Sequence, residues 1–231
     1  MNAIKLLPAV LAITAIGCVA MGARDDSYHP VIDPANFVSK VDNPYFPLVP
    51  GTVWRFTENN DEGKEENEVT VTHDTRTILG VKCVIVRDTV MLNGKLKEDT
   101  DDWYAQDKQG TVWYFGEATR AYKDGQISTE GSWEAGVGEA QAGIIMPGTP
   151  KIGEAYRQEY LPGHAEDMSK IVAFNEAVTV PAGTFTDAIR TDEWSGLAPG
   201  TEHKWYVRGI GVAREVSEKG DVAVLISVSK P

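Results

Sequence analysis

Asp101-Asp-Trp-Tyr-Ala-Gln-Asp-Lys-Gln-Gly-Thr-Val-Trp-Tyr-Phe-Gly-Glu117 carries two of the chain's six tryptophans, with two tyrosines and a phenylalanine. The aromatics fall on two extended runs joined by Lys108-Gln109-Gly110. Trp103, Ala105 and Asp107 share one face of the first run; Tyr104 and Gln106 share the other. In the second run Trp113, Phe115 and Glu117 oppose Val112 and Tyr114. A period of two is the strand signature, and a short loop ending in Gly between two such runs predicts a β-hairpin. This hairpin is the expected centre of an all-β protein.

The pattern extends in both directions. Thr52–Glu58 alternates, Asn59–Asn67 reads as an acidic turn, and Glu68–Asp74 alternates again. Gly80–Leu92 runs into Asn93-Gly94, a strong hairpin signal, and Lys95–Asp107 pairs back. Thr111–Tyr122 follows, and Asp124-Gly125 turns once more. Residues 129–152 break the pattern and predict a long glycine-rich connection, of the length that often lies over a site. Strands resume over Gly153–Tyr160, Met168–Val180, Thr184–Glu193, Thr201–Arg208, Val212–Ser217 and Asp221–Val228. Self-similarity appears at a near-constant offset: Gly51, Trp54 and Arg55 recur as Gly153, Tyr156 and Arg157, and Trp103-Tyr104 as Trp205-Tyr206. The fold expected is therefore an antiparallel meander, a curved sheet or open barrel built from two similar halves, about 51–128 and 153–231, with little helix.

Before the meander, Asp42–Pro50 holds three prolines at positions 44, 47 and 50, which exclude a central strand. Tyr45, Phe46 and Leu48 are expected to plug one end of the sheet. Residues 18–41 read as a tether, and 42–231 as a single β domain. Residues 1–17 read as a signal peptide: Lys5 is the positive n-region and Leu6–Ile16 an apolar run too short for a membrane span, which needs about 20 residues. The run ends Ala15-Ile16-Gly17-Cys18, which looks like a lipobox and makes Cys18 the predicted lipidation site. An ordinary secretory cut after Ala20 is the alternative. Either way the chain is expected to be exported, as a periplasmic or cell-surface anchored lipoprotein or else secreted.

The whole chain of 231 residues carries 22 basic and 34 acidic side chains, a net charge of −12. Removing residues 1–17 removes one Lys and no acid, which leaves 21 against 34, or −13. Such a surface repels phosphate backbones, so no nucleic-acid partner is expected. Only Cys18 and Cys83 exist, so no disulfide framework holds the domain; Cys83, in a strand pattern, reads as a small buried hydrophobe.

The run Val180-Pro-Ala-Gly-Thr-Phe185, with Lys204-Trp-Tyr-Val-Arg-Gly-Ile-Gly-Val-Ala-Arg-Glu215, resembles the C-terminal halves of exported bacterial β proteins, among them proteins similar to the carriers LolA and LolB. More closely, Asn43-Pro-Tyr-Phe-Pro-Leu-Val-Pro-Gly-Thr-Val-Trp54, the central hairpin, Gly131-Ser-Trp-Glu-Ala-Gly136 and Gly143-Ile-Ile-Met-Pro147 resemble a family of uncharacterised secreted bacterial proteins. That resemblance spans most of the mature chain and implies no activity. LolA-type similarity implies a sheet wrapped around an apolar cavity.

Three functions compete. The first is a non-enzymatic protein that holds an apolar or amphipathic ligand, or a partner, in the sheet's concavity, its expected ligand contacts being Trp103, Trp113, Trp133, Met146, Arg157 and Glu159. The second is a polysaccharide-directed enzyme or binder using aromatic-flanked carboxylates, with Glu117, Glu134 or Glu159 as acid or base and Asp107 beside them. The third is metal binding by His164, Glu166, Asp167 and Met168, with Met146 across the loop. No Gly-x-Ser-x-Gly and no phosphate-binding glycine motif is present, and no cofactor is expected. The expected partners are the membrane, through Cys18, and a lipid-like or other small ligand.

Overall fold

The computed structural model describes residues 28–231. The residues read as a signal peptide, Cys18 and the stretch read as a tether up to residue 27 lie outside the described residues. Fifteen strands form one antiparallel sheet: β1 (Phe37–Val38), β2 (Val53–Asn60), β3 (Gly63–Ile78), β4 (Val81–Leu92), β5 (Lys95–Asp107), β6 (Val112–Lys123), β7 (Gln126–Ser128), β8 (Trp133–Glu134), β9 (Gly143–Met146), β10 (Ala155–Arg157), β11 (Asp167–Val180), β12 (Gly183–Ser195), β13 (Glu202–Val207), β14 (Gly211–Val216) and β15 (Val222–Ser229). A single 3-10 turn, Pro34–Asn36, is the helical content among the described residues.

The strand order is β10-β11-β12-β13-β14-β15-β2-β3-β4-β5-β6-β7. Two meanders, β2–β6 and β11–β15, therefore meet where the last strand pairs with the first long one, Val228 opposite Trp54. The sheet curves but does not close. At the gap β9 pairs with β6, and one isolated bridge, Gln141 to Tyr160, ties this region to the chain leaving β10.

Asn93-Gly94 and Asp124-Gly125 turn as expected, both members of each pair at positive φ. The Lys108-Gln109-Gly110 turn is held by Asp107, whose Oδ1 accepts from the Gln109 and Thr111 amides. The acidic stretch behaves differently from its expectation. Its turn is only Asp61–Glu62, and residues 63–67 belong to β3, because Glu65 and Asn67 point inward. Lys97 reaches both Glu62 and Glu65, at 3.2 and 2.7 Å, and holds the acids in the ladder.

The 129–152 connection is partly sheet. β8 and β9 both pair with β6, so Trp133 and Met146 stand on strands rather than on a lid. Residues 28–41, within the stretch read as a tether, also lie on the domain. Phe37 pairs with Asp107, and the Tyr28 hydroxyl donates to the Ala142 carbonyl. The outward aromatics of the central hairpin explain why: Phe37 packs against Trp113 and Phe115, with centroids 6.4 and 5.6 Å away, and takes their faces out of water.

Candidate functional site

The central hairpin sets the geometry of the interior. On β5, Tyr104 and Gln106 face inward and Trp103 outward, as the alternation predicts. On β6 the alternation is interrupted. Asp102 pairs with Glu117 and Tyr104 with Tyr114, so β6 carries one residue more than β5 between these pairs, a β-bulge. Gly116 sits in it at φ +124°, and a side-chain carbon there would run into the Trp133 carbonyl. The extra residue turns Glu117 from the Trp113–Phe115 face, where strict alternation puts it, to the Tyr114 face.

As a result two carboxyl groups meet one phenol. The Tyr114 hydroxyl lies 2.6 Å from Asp102 Oδ1 and 3.0 Å from Glu117 Oε2. Tyr104 stacks on Tyr114 at 4.7 Å, and Trp133 stands edge-on to Tyr114 at 5.3 Å. Burial, with the Asp102 and Glu117 charges adding to it, pushes both phenols well above the usual tyrosine range. Glu159, fully buried, bears on both phenols in the same direction.

The second meander also carries a bulge beside buried polar groups, with different chemistry. β13 and β14 carry a bulge between Trp205 and Tyr206, and Lys204 pairs with Glu215 where Asp102 pairs with Glu117. The Lys204 ammonium, almost wholly buried, lies 3.1 Å from Glu193 and 3.5 Å from Glu215. Tyr206 donates to Glu193 at 3.0 Å, and so does Thr191 at 2.8 Å. The carboxylates hold Lys204 charged against its burial and raise its pKa. Burial raises Glu215 well above the usual carboxyl range, with Lys204 opposing it. Burial also lifts Asp167 to about 7.

Phe46 joins the halves. Its ring lies 5.3 Å from Tyr104 and 6.5 Å from Tyr206. The segment around it is pinned by Asn43, whose amide and that of Asp42 donate to Gln106. Beneath Phe46 and Leu48 opens a small apolar pocket lined by Trp54, Phe56, Val69, Val86, Ile210 and Val212, with a cavity volume of about 30 Å³. Trp54 is fixed there by donating to the Ile210 carbonyl at 2.8 Å.

Of the residues expected to bind ligand, Trp133 and Glu159 belong to the acid–tyrosine interior. Trp103 is buried on the outward face beneath the Arg76 guanidinium, 4.3 Å away. Trp113, also outward, donates to Asp107 at 3.0 Å. Met146 is fully buried opposite Val112. The Arg157 guanidinium lies 4.6 Å over Tyr160 and 5.6 Å over Tyr28. None of the six lines the apolar pocket. Of the acids, Glu117 faces the interior and Glu134 is tied to Arg76. His164 is exposed in its turn, Glu166 accepts from the Gly163 amide, Asp167 is buried at the head of β11, and Met168 pairs with Arg157. Among the described residues no three His, Cys, Asp or Glu side chains converge in a metal-holding arrangement.

Sequence reasoning missed Asp102, Tyr104, Tyr114, Glu193, Lys204, Tyr206 and Glu215 as interior polar residues, and Trp54, Phe56 and Ile210 as pocket wall. One signal was present for the first group: an isolated Gly inside a strand pattern, which marks a bulge or a close backbone approach.

No family profile matches the chain, and no curated protein matches it. Two solved structures align with it. A "putative lipoprotein" from Parabacteroides distasonis shares 16% identity over 81% of this chain and 99% of that one, with a TM-score of 0.47. A "putative exported protein with YmcC-like fold" from Bacteroides fragilis shares 15% over 80% and 98%, also at 0.47.

Proposed function

We propose that the mature chain is an exported, lipid-anchored, non-enzymatic β protein that holds an apolar or amphipathic ligand beneath Phe46 and Leu48. One observation carries this: the pocket draws its wall from both meanders, Trp54, Phe56, Val69 and Val86 from one and Ile210 and Val212 from the other, and the wall is apolar. A concave apolar site with few polar groups is the usual form of a small-molecule site. The export reading rests on the leader-like residues 1–17 and the lipobox-like Ala15–Cys18. The polysaccharide-directed alternative has Trp133, Glu117 and Glu159 drawn together around Tyr114. Those two acids are 2% and 0% exposed, which leaves a polymer no approach to them.

The test is titration with N-phenyl-1-naphthylamine, an uncharged fluorophore that brightens in apolar surroundings, with lysolipid as competitor. Wild type should bind it. Val212→Phe, which fills the pocket, should weaken binding about tenfold, the equivalent of ~1.4 kcal/mol. Trp113→Phe, on the outward face, should not change it. A wild-type protein that gives no fluorescence rise refutes the ligand site. Mass spectrometry of the chain recovered from membranes tests the anchor: the diacyl mass at Cys18 is expected, and its absence removes the anchor from the proposal.

A further inference from the structure

Three two-residue hairpin turns have both residues at positive φ: Leu79-Gly80, Asn93-Gly94 and Asp124-Gly125. Asn and Asp are the residues that tolerate the left-handed first position, because their short polar side chains bond locally. Leu79 has no such relief. It stands at φ +49°, and its side chain is 47% exposed rather than sheltered in the core. A branched apolar residue that is both strained and wetted serves neither the turn nor the fold.

Its neighbours share the oddity. The Leu79 side chain lies against Gly136, and the next residue, Val137, is 61% exposed. The Pro34 ring lies against Gly80, and three residues before it Val31 is 92% exposed. Val31, Leu79 and Val137 thus come from three separate segments that touch, through Leu79 on Gly136 and Pro34 on Gly80. The start of the described chain is anchored close by in sequence. Tyr28, the first described residue, donates to the Ala142 carbonyl at 2.9 Å and packs against Tyr160 at 5.4 Å. The 136–140 loop that carries Val137 runs into this point, with Gly136 donating to Ala140.

We propose that Val31, Leu79 and Val137 form the face this protein lays against a lipid bilayer. This rests on the reading of Cys18 as the acylated N-terminus. Nine residues lie between Cys18 and Tyr28, and the ten steps, at ~3.6 Å each, span at most ~36 Å. The acyl chain is therefore held within ~36 Å of Tyr28, which lies three residues from Val31. The mature charge of −13 gives no attraction to anionic lipid, so the contact must be apolar and the anchor must supply the local concentration. Side chains of this kind insert some 5–10 Å into the boundary between headgroups and acyl chains.

The experiment uses the full chain, processed in a bacterium and reconstituted in phosphatidylcholine vesicles with brominated acyl chains. Leu79→Cys, Val137→Cys and Leu197→Cys are labelled separately with an environment-sensitive fluorophore. Cys83 does not compete, because burial pushes its thiol up to about 12. Quenching and a blue shift at 79 and 137, with neither at 197, are expected. In parallel, adding Leu79→Asn to the acylated Val137→Cys chain should shift the labelled face away from the bilayer about fivefold, what burying the exposed half of a leucine supplies, and leave the protein no less stable. Equal signals at all three positions in a chain that carries the acyl mass overturn the face and leave the anchor standing. Quenching at 79 and 137 without the acyl mass supports the face and removes the anchor. Loss of both labels' response to lipid, with a concentration-dependent dimer in solution, overturns the proposal in favour of a second copy on this surface.

Discussion

Replacing Lys204 with Met removes the one positive charge that Glu193 and Glu215 share, at 3.1 and 3.5 Å, in an interior where the lysine is 1% exposed. Methionine keeps most of the volume, so the change is mainly electrostatic. Without the ammonium the two buried carboxylates face each other uncompensated, and one must take up a proton. A carboxyl whose ordinary value is 4.5 costs ~3.4 kcal/mol to protonate at pH 7, at ~1.36 kcal/mol per unit. Glu215 already lies well above that value in the wild type, so part of this cost is present before the substitution. The expected loss is therefore about 3 kcal/mol at pH 7, at the lower end of what breaking a buried pair costs. It should shrink by ~1.4 kcal/mol per pH unit on acidification, the slope of one proton, and become small near pH 5. Urea unfolding followed by tryptophan fluorescence from pH 5 to 8, wild type beside variant, reads this directly. The double variant Lys204→Met with Glu193→Gln should recover most of the loss. A loss independent of pH, and not recovered by the second substitution, would refute the charge account and assign the cost to packing.

Three further outcomes follow from the interior. Asp167 is raised to about 7, so its contribution to stability is full below about pH 4 and is lost as pH rises through about 7; Asp167→Asn should flatten that part of the stability profile, by a few kcal/mol at most, in the same urea series. Gly116→Ala places a side chain at φ +124° and into the Trp133 carbonyl, so the thermal midpoint should drop by an amount equivalent to a few kcal/mol, whereas Gly94→Ala, with open space around it, should cost far less. Cys83, buried in β4 with its thiol pushed up to about 12, should react with a disulfide reagent at pH 8 only at the rate the protein opens; fast stoichiometric reaction in the folded state would contradict its burial.

The order of strands was legible because the turns are chemically marked. Asn93-Gly94, Asp124-Gly125 and the Gly110 turn each fix a reversal, and between them side chains alternate. The acidic stretch at residues 59–67 was misjudged for a physical reason. Hydrophobic alternation assumes an apolar interior, but here Glu65, Asn67, Asp88, Asp102 and Glu117 face inward, so residues 64–68 of β3 alternate between buried and exposed polar side chains, and the hydrophobic period begins only at Val69 and Val71. Lys204 was illegible for a related reason. A lysine beside Trp205 and Tyr206 reads as a solvated strand face, and its burial depends on Glu193 and Glu215 reaching it from the strands on either side, a register the sequence does not display.

The pocket lay beyond sequence for a different reason. Its wall residues, Trp54, Phe56, Val69 and Val86, look like any inward strand residues, and nothing local distinguishes a packed position from one beside a void. The void exists because the segment over it is not a strand. Prolines 44, 47 and 50 keep Asn43–Pro50 out of the long strands, so it crosses the sheet's concavity on a few bonds, among them the Gly209 amide donating to the Pro44 carbonyl, and on its side chains. Phe46 fills the space between Tyr104 and Tyr206, and what it leaves uncovered toward Ile210 and Val212 is the pocket. The site is thus set by how one proline-rich strap fits two meanders at once. If that is so, Phe46→Leu should enlarge the pocket and change which ligands it holds while both meanders stay folded, whereas Tyr206→Leu should loosen the strap and the second meander together, through the bond that Tyr206 donates to Glu193.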